Sequence, residues 1–154
     1  MSDTMVIRRA RDGFRWDGVE RLTYKAEADA GFKAITRQVL LKDAGLACEL
    51  RYFEMAAGGY SSLERHAHVH GVMILHGRGH AMIGTEVRAL GPRDLITIPP
   101  LTWHQFRATS GEAFGFLCMV NCARDRPQLP SAAEVAALRA TPAIAAFLDG
   151  TPLV

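Results

Sequence analysis

Between residues 32 and 121, apolar and polar side chains alternate over short stretches that are separated by glycine, proline and aspartate. A period of two puts successive side chains on opposite faces of an extended chain, so each stretch predicts a half-buried strand. Strands are expected over 32–41, 49–55, 61–65, 69–76, 80–83, 86–90, 94–98, 104–108 and 114–121. Turn chemistry lies between them, at Ala57-Gly58-Gly59, Gly77-Arg78-Gly79, Gly84-Thr85, Gly91-Pro92 and Thr109-Ser110-Gly111. No helical pattern alternates with these strands, which excludes a βαβ architecture. Closely punctuated strands point to an antiparallel sandwich or barrel, whose closure removes exposed edges.

The period changes at Ser131. Ser131-x-x-Glu134 is a capping box, in which hydroxyl and carboxylate satisfy orphan backbone N–H groups, and Val135 and Leu138 follow on one face. Thr141-Pro142 starts a second short helix that Gly150 is placed to end. The link from Arg124 to Pro130 is charged and carries two prolines, so the helices are expected on the outside of the barrel. The predicted organisation is one domain: N-terminal strands over 1–40, a barrel over 41–123 and a helical tail over 124–154.

Composition narrows the function classes. At 154 residues and 49% hydrophobic the chain can bury a core, and 18 Lys+Arg against 16 Asp+Glu leave a net charge of only +2. Without a Lys/Arg run, nucleic acid and anionic membrane are not expected partners. No apolar run approaches the roughly 18 residues of a spanning helix. The stretch from Met1 to Ala10 lacks the basic-then-apolar plan of a secretion signal, so a cytoplasmic location is expected. Cys48, Cys118 and Cys122 are an odd set, read as free thiols.

The chemistry concentrates in Ser62-Leu63-Glu64-Arg65-His66-Ala67-His68-Val69-His70. Glu64, His66, His68 and His70 occupy alternate positions, and the same face continues as apolar Val72 and Ile74. Neutral imidazole with carboxylate suits Mn, Fe, Co, Ni, Cu and Zn, so one divalent transition metal is the expected cofactor. A nucleophile elbow, a phosphate-binding loop, a dinucleotide-binding glycine pattern and His-Glu-x-x-His are all absent from the sequence.

Here the sequence resembles the cupin superfamily. That family's first motif runs Gly, five residues, His-x-His, three or four residues, Glu, six residues, Gly, and Gly58-x5-Glu64-x-His66-x3-His70-x6-Gly77 reproduces the spacing. Glu64 stands at the family's first His and His70 at its Glu. The second motif is similar to Arg93-x5-Pro99-x-Leu101-x2-His104-x3-Ala108, in which Pro99 and His104 match while Arg93 and Leu101 replace glycines and Ala108 replaces Asn. The resemblance, over about residues 45–121, implies an all-β double-stranded β-helix, a jelly roll, with a short C-terminal helical segment and a metal near the barrel mouth. It implies Glu64, His66, His70 and His104 as ligands.

His68 lies on the ligand face without a ligand position and is expected beside the site or at its entrance, a bulge turning it aside being the alternative. Phe106 is expected in the pocket wall, and Cys118, Tyr60 and Arg51 are candidate substrate contacts. His76 and His80, flanking a turn, are expected at the surface. The resemblance points to a small-molecule substrate or ligand. Three functions follow: an oxygenase binding its substrate at the metal, an isomerase, lyase or decarboxylase using the metal as Lewis acid, or a barrel that binds without turnover. A homodimer is implied, with the aromatic segment from Phe14 to Tyr24 either supplying an arm or covering its own barrel.

Overall fold

The computed structural model describes residues 5–24 and 33–152. A hairpin of β1 (Ala10–Arg11) and β2 (Arg15–Trp16) stands apart from the main sheet. The sheet contains β3 (Leu22–Thr23), β4 (Lys33–Leu41), β5 (Cys48–Tyr60), β6 (His70–His76), β7 (Gly79–Ile83), β8 (Glu86–Leu90), β9 (Leu95–Ile98), β10 (His104–Ala108) and β11 (Phe114–Asn121), followed by α1 (Ala132–Arg139) and α2 (Pro142–Asp149). Its strands run antiparallel in the order β8-β7-β10-β5-β11-β6-β9, with β4 joining β3 to β5. The fold is the expected all-β jelly roll with two short C-terminal helices.

Closure depends on β5. Residues Cys48 to Met55 pair with β11, from Asn121 back to Phe114, and then the chain bends at Gly58, whose φ is 71°, so that Tyr60 pairs with Arg107 of β10. The expected turn at 57–59 is therefore a bend inside a continuous strand, which hands the chain from one layer of the roll to the other. The tight turn after β6 needs glycine: Gly77 has φ 74°, and a Cβ there would lie 1.9 Å from the Ala113 carbonyl oxygen.

Even positions of β11, Phe114, Phe116, Cys118 and Val120, face the core. They meet Phe53, Met55, Val72, Ile74, Ile98 and Phe106, and the Phe116 ring stacks on Phe53 at 5.6 Å and on Phe106 at 5.0 Å. Burying each such ring stabilises the roll by about 2–3 kcal/mol. The capping box of α1 is present, with Glu134 N–H donating to Ser131 Oγ at 3.2 Å and Ser131 N–H to Glu134 Oε2 at 2.9 Å. Pro142 opens α2 and Gly150 closes it at φ 71°, while Ile144 and Phe147 are buried against Met82 on the outside of the roll.

One expected strand is absent: over 61–65, Glu64 bridges His104 and Arg65 bridges Gln128, with no ladder. Ser61 instead exchanges bonds with Phe106, its N–H donating to the Phe106 carbonyl at 2.9 Å and its Oγ accepting the Phe106 N–H at 2.8 Å. Residue 32 of the expected first strand lies outside the described residues. Phe14 stacks on His76 at 3.9 Å and Trp16 meets Tyr52 edge-on at 5.2 Å, so this aromatic segment lies against its own barrel. His76 is not a bare surface residue, because Tyr52 Oη lies 2.7 Å from its Nε2. Among the described residues no helix is long and apolar enough to cross a membrane.

Candidate metal centre

His70 opens β6 and His104 opens β10, while Glu64 and His66 lie on the segment that joins β5 to β6. Reciprocal backbone bonds fix that segment: Glu64 N–H donates to the His104 carbonyl at 3.1 Å, and His104 N–H to the Glu64 carbonyl at 3.0 Å. Leu101 N–H then donates to the His66 carbonyl at 2.7 Å. As a result, one donor atom from each of His66, His70 and His104 falls within 4.8 Å of the other two.

Hydrogen bonding sets the tautomers. His66 Nδ1 lies 2.9 Å from the His68 carbonyl oxygen and His104 Nδ1 lies 2.9 Å from that of Thr102. A carbonyl only accepts, so both Nδ1 atoms carry the proton and both Nε2 atoms present a lone pair. His66 Nε2 is buried without a hydrogen-bond partner. A buried, unpartnered lone pair among other imidazoles fits a cation, and this chemistry suits the divalent metals named above.

Burial, more than any neighbouring charge, lowers the pKa of all three rings, with His70 pushed down to about 2. Mutual repulsion among the rings adds to this, and Arg51 adds to it at His70. The imidazoles are therefore held neutral, the form in which they bind metal.

Glu64 is buried on the same pocket wall, and its Oε2 accepts the Ser62 hydroxyl at 2.6 Å. It lies outside the mutually close trio of imidazoles. The alternation of burial from Glu64 to His70 is as the sequence predicts, but a bend at Ala67–His68 interrupts the extended chain. Asp125 holds that bend, with Oδ2 accepting the Ala67 N–H at 2.8 Å and Oδ1 lying 2.9 Å from His68 Nδ1. His68 consequently stacks on His66 at 3.9 Å, and its Nε2 reaches within 3.2 Å of His70 Nε2.

The pocket has a volume of about 100 Å³, and Arg51, His68, Phe106 and Cys118 are among the residues that line it. Tyr60 is not. The bend at Gly58 carries it to a separate cavity of about 510 Å³ beneath the helices, where the Arg107 guanidinium covers its ring at 4.5 Å. Burial pushes the Cys118 thiol up to about 12, so it holds its proton. The structure adds Ser62, Arg124 and Asp125 to the pocket. Only the charged character of the link hinted at the last two, since their contacts span more than fifty residues of sequence.

Arg93 and Leu101, the two departures at glycine positions of the second motif, have φ of 76° and 55°. The backbone retains the left-handed conformation that glycine favours even though the residues do not.

Comparison with known proteins agrees with this fold. The Cupin domain family matches residues 51–120. A protein of Rhodospirillum rubrum named 1-methylthio-D-xylulose 5-phosphate methylsulfurylase is 58% identical over 149 residues, covering 97% of this chain and 96% of its own. A crystal structure of a cupin-2 domain protein from Rhodospirillum rubrum is 59% identical, covers 94% of this chain and 97% of its own, and has a TM-score of 0.87. A cupin 2 conserved barrel domain protein from Rhodopseudomonas palustris is 53% identical, covers 92% and 98%, and has a TM-score of 0.89.

Proposed function

The chain belongs to the cupin superfamily, and we propose that it is a metal-dependent enzyme cleaving the bond between C1 and sulfur in a 1-methylthio-ketopentose 5-phosphate. The observation that carries this reading is the unpartnered His66 Nε2 beside the neutral donors of His70 and His104, in a chain 58% identical to the methylsulfurylase. His66, His70 and His104 would hold a divalent ion, with Glu64 on the same pocket wall, and the ion would supply a Lewis acid for the ketone oxygen.

The chain's own residues orient and exclude. The carbonyls of His68 and Thr102 aim the His66 and His104 rings, while Phe106, Phe116 and Val72 keep water from the sugar. His68, oriented through Asp125, stands at the edge of the site beside His70. In the cleavage, an external thiolate bonds to the methylsulfanyl sulfur and the C1–S electron pair passes into the C1–C2–O unit as an enolate. C1 then takes a proton, giving a methyl disulfide and a 1-deoxyketose phosphate. Burial raises the pKa of the Cys118 thiol in the metal-free chain, so the thiolate is assigned to an external thiol.

The test is incubation of metal-loaded protein with 1-methylthio-D-xylulose 5-phosphate and dithiothreitol. Methanethiol and 1-deoxypentulose phosphate are expected in equal amounts, without oxygen uptake. Oxygen consumption matching substrate loss would favour the oxygenase suggested by the mixed imidazole–carboxylate ligands, and recovery of unchanged substrate would favour a binding barrel. The homodimer implied by the resemblance belongs to the same reading, with light scattering of the purified protein as its measurement.

A further inference from the structure

Beside the pocket wall, Glu49 on β5 is 2% exposed. Three cations converge on its carboxylate. Arg51 pairs with Oε1 through Nε and Nη2, Arg124 Nη2 lies 3.3 Å from the same oxygen, and Lys42 Nζ lies 3.7 Å from Oε2. One buried negative charge thus gathers three positive ones. Arg51 and Arg124 both line the metal pocket, and Lys42 does not.

Such an arrangement fixes two guanidinium groups before any ligand arrives. Arg51 is immobilised, with its side chain only 10% exposed, and Arg124 is anchored by donating through Nη1 to the Asn121 carbonyl at 2.9 Å. A guanidinium has five N–H donors, and the pair with Glu49 engages two of the Arg51 nitrogens. The balance of charge gives the ligand. In the pocket wall, Arg51 and Arg124 balance Glu64 and Asp125, while Lys42 balances Glu49 outside it. A divalent ion at the histidines leaves the pocket doubly positive, matched to a phosphate monoester at nearly two negative charges.

We infer that Arg51 and Arg124, gathered side by side on Glu49, form the phosphate subsite of this pocket, so that the substrate is a phosphorylated ketose bound by its carbonyl end at the histidines and its phosphate end at the arginines. The identity of the sugar rests on the function proposed above. The clamp itself does not.

The experiment is isothermal titration of metal-loaded protein with D-xylulose 5-phosphate, D-xylulose and inorganic phosphate, on the wild type, Arg124→Met and Arg51→Lys. Arg124→Met keeps the buried Arg51–Glu49 pair, so it decides the matter even if Arg51→Lys fails to fold. The wild type is expected to bind the phosphorylated sugar, with inorganic phosphate competing. Arg124→Met should weaken D-xylulose 5-phosphate about tenfold, the worth of one charge-assisted contact, and leave D-xylulose unchanged. Arg51→Lys keeps the charge but loses the fork and should weaken it too. Equal affinity for both sugars, or binding within twofold of wild type in Arg124→Met, would overturn the clamp and make the cluster a tie between β5 and the link. Should C1–S cleavage be absent while the variants still lose phosphate-dependent binding, the proposed reaction fails and the clamp stands. Should cleavage proceed with KM unchanged in Arg124→Met, the reaction stands and the clamp fails.

Discussion

Leu101 donates its backbone N–H to the His66 carbonyl at 2.7 Å while its φ is held at 55°. The bond ties the loop before β10 to the backbone of a metal-capable histidine, and the conformation is one that a side chain opposes by about 1–2 kcal/mol. Arg93, at φ 76°, bears the same strain. Restoring glycine relieves it but adds unfolded-chain entropy, so Arg93→Gly and Leu101→Gly should each stabilise by about 0.5–1 kcal/mol. Urea denaturation checks this, and metal content should not change.

The histidines carry the sharpest prediction for metal. His66→Ala or His104→Ala should reduce metal from about one ion per chain to under about a tenth, because a site stripped of one of its three imidazoles loses both enthalpy and geometry. Elemental analysis of protein purified without a histidine tag gives the number, and thermal denaturation shows whether the barrel survives. Removing the ion from wild type with a chelator should abolish C1–S cleavage, and adding it back should restore it.

Asp125 accepts both the Ala67 N–H and the His68 Nδ1–H, and these bonds hold its carboxyl below the usual range. Asp125→Asn keeps the shape but offers a single acceptor oxygen where two are used, so the bend at 67–68 loosens. Metal affinity should fall about 10-fold, because the His68 carbonyl that orients the His66 ring belongs to that bend. Competition with a colorimetric chelator reads the change.

How much of this was legible in the sequence depends on the range of the signal. The alternation from Glu64 to His70 and the Ser131–Glu134 box are local patterns, and the structure follows them, whereas which face of β11 points inward came only from the structure. The strand expected over 61–65 was not formed, because Ser61 bonds to Phe106 and Arg65 to Gln128, so inside–outside alternation arose without a ladder. Tyr60 left the pocket because the left-handed Gly58 redirects β5, a feature that residue parity does not see. Asp125, Arg124 and Glu49 escaped notice because they meet only when the link folds back over the barrel mouth.

The histidine trio also sets a pH dependence in metal-free protein. All three imidazoles have pKa values lowered by burial, so on acidification the unfolded chain takes up protons near pH 6.5 that the folded chain refuses. Stability is therefore intact above that range and declines as pH falls below it, since the unfolded state then binds more protons. The melting temperature of chelator-treated protein should fall between about pH 7 and pH 5. In His70→Leu, which removes the ring whose pKa is lowered to about 2, the decline should be shallower. Saturating metal should raise the curve most at neutral pH and progressively less below it, because protons and the cation compete for the same imidazole lone pairs. A melting curve that is flat with pH in metal-free wild type would mean that the rings take up protons in the folded barrel.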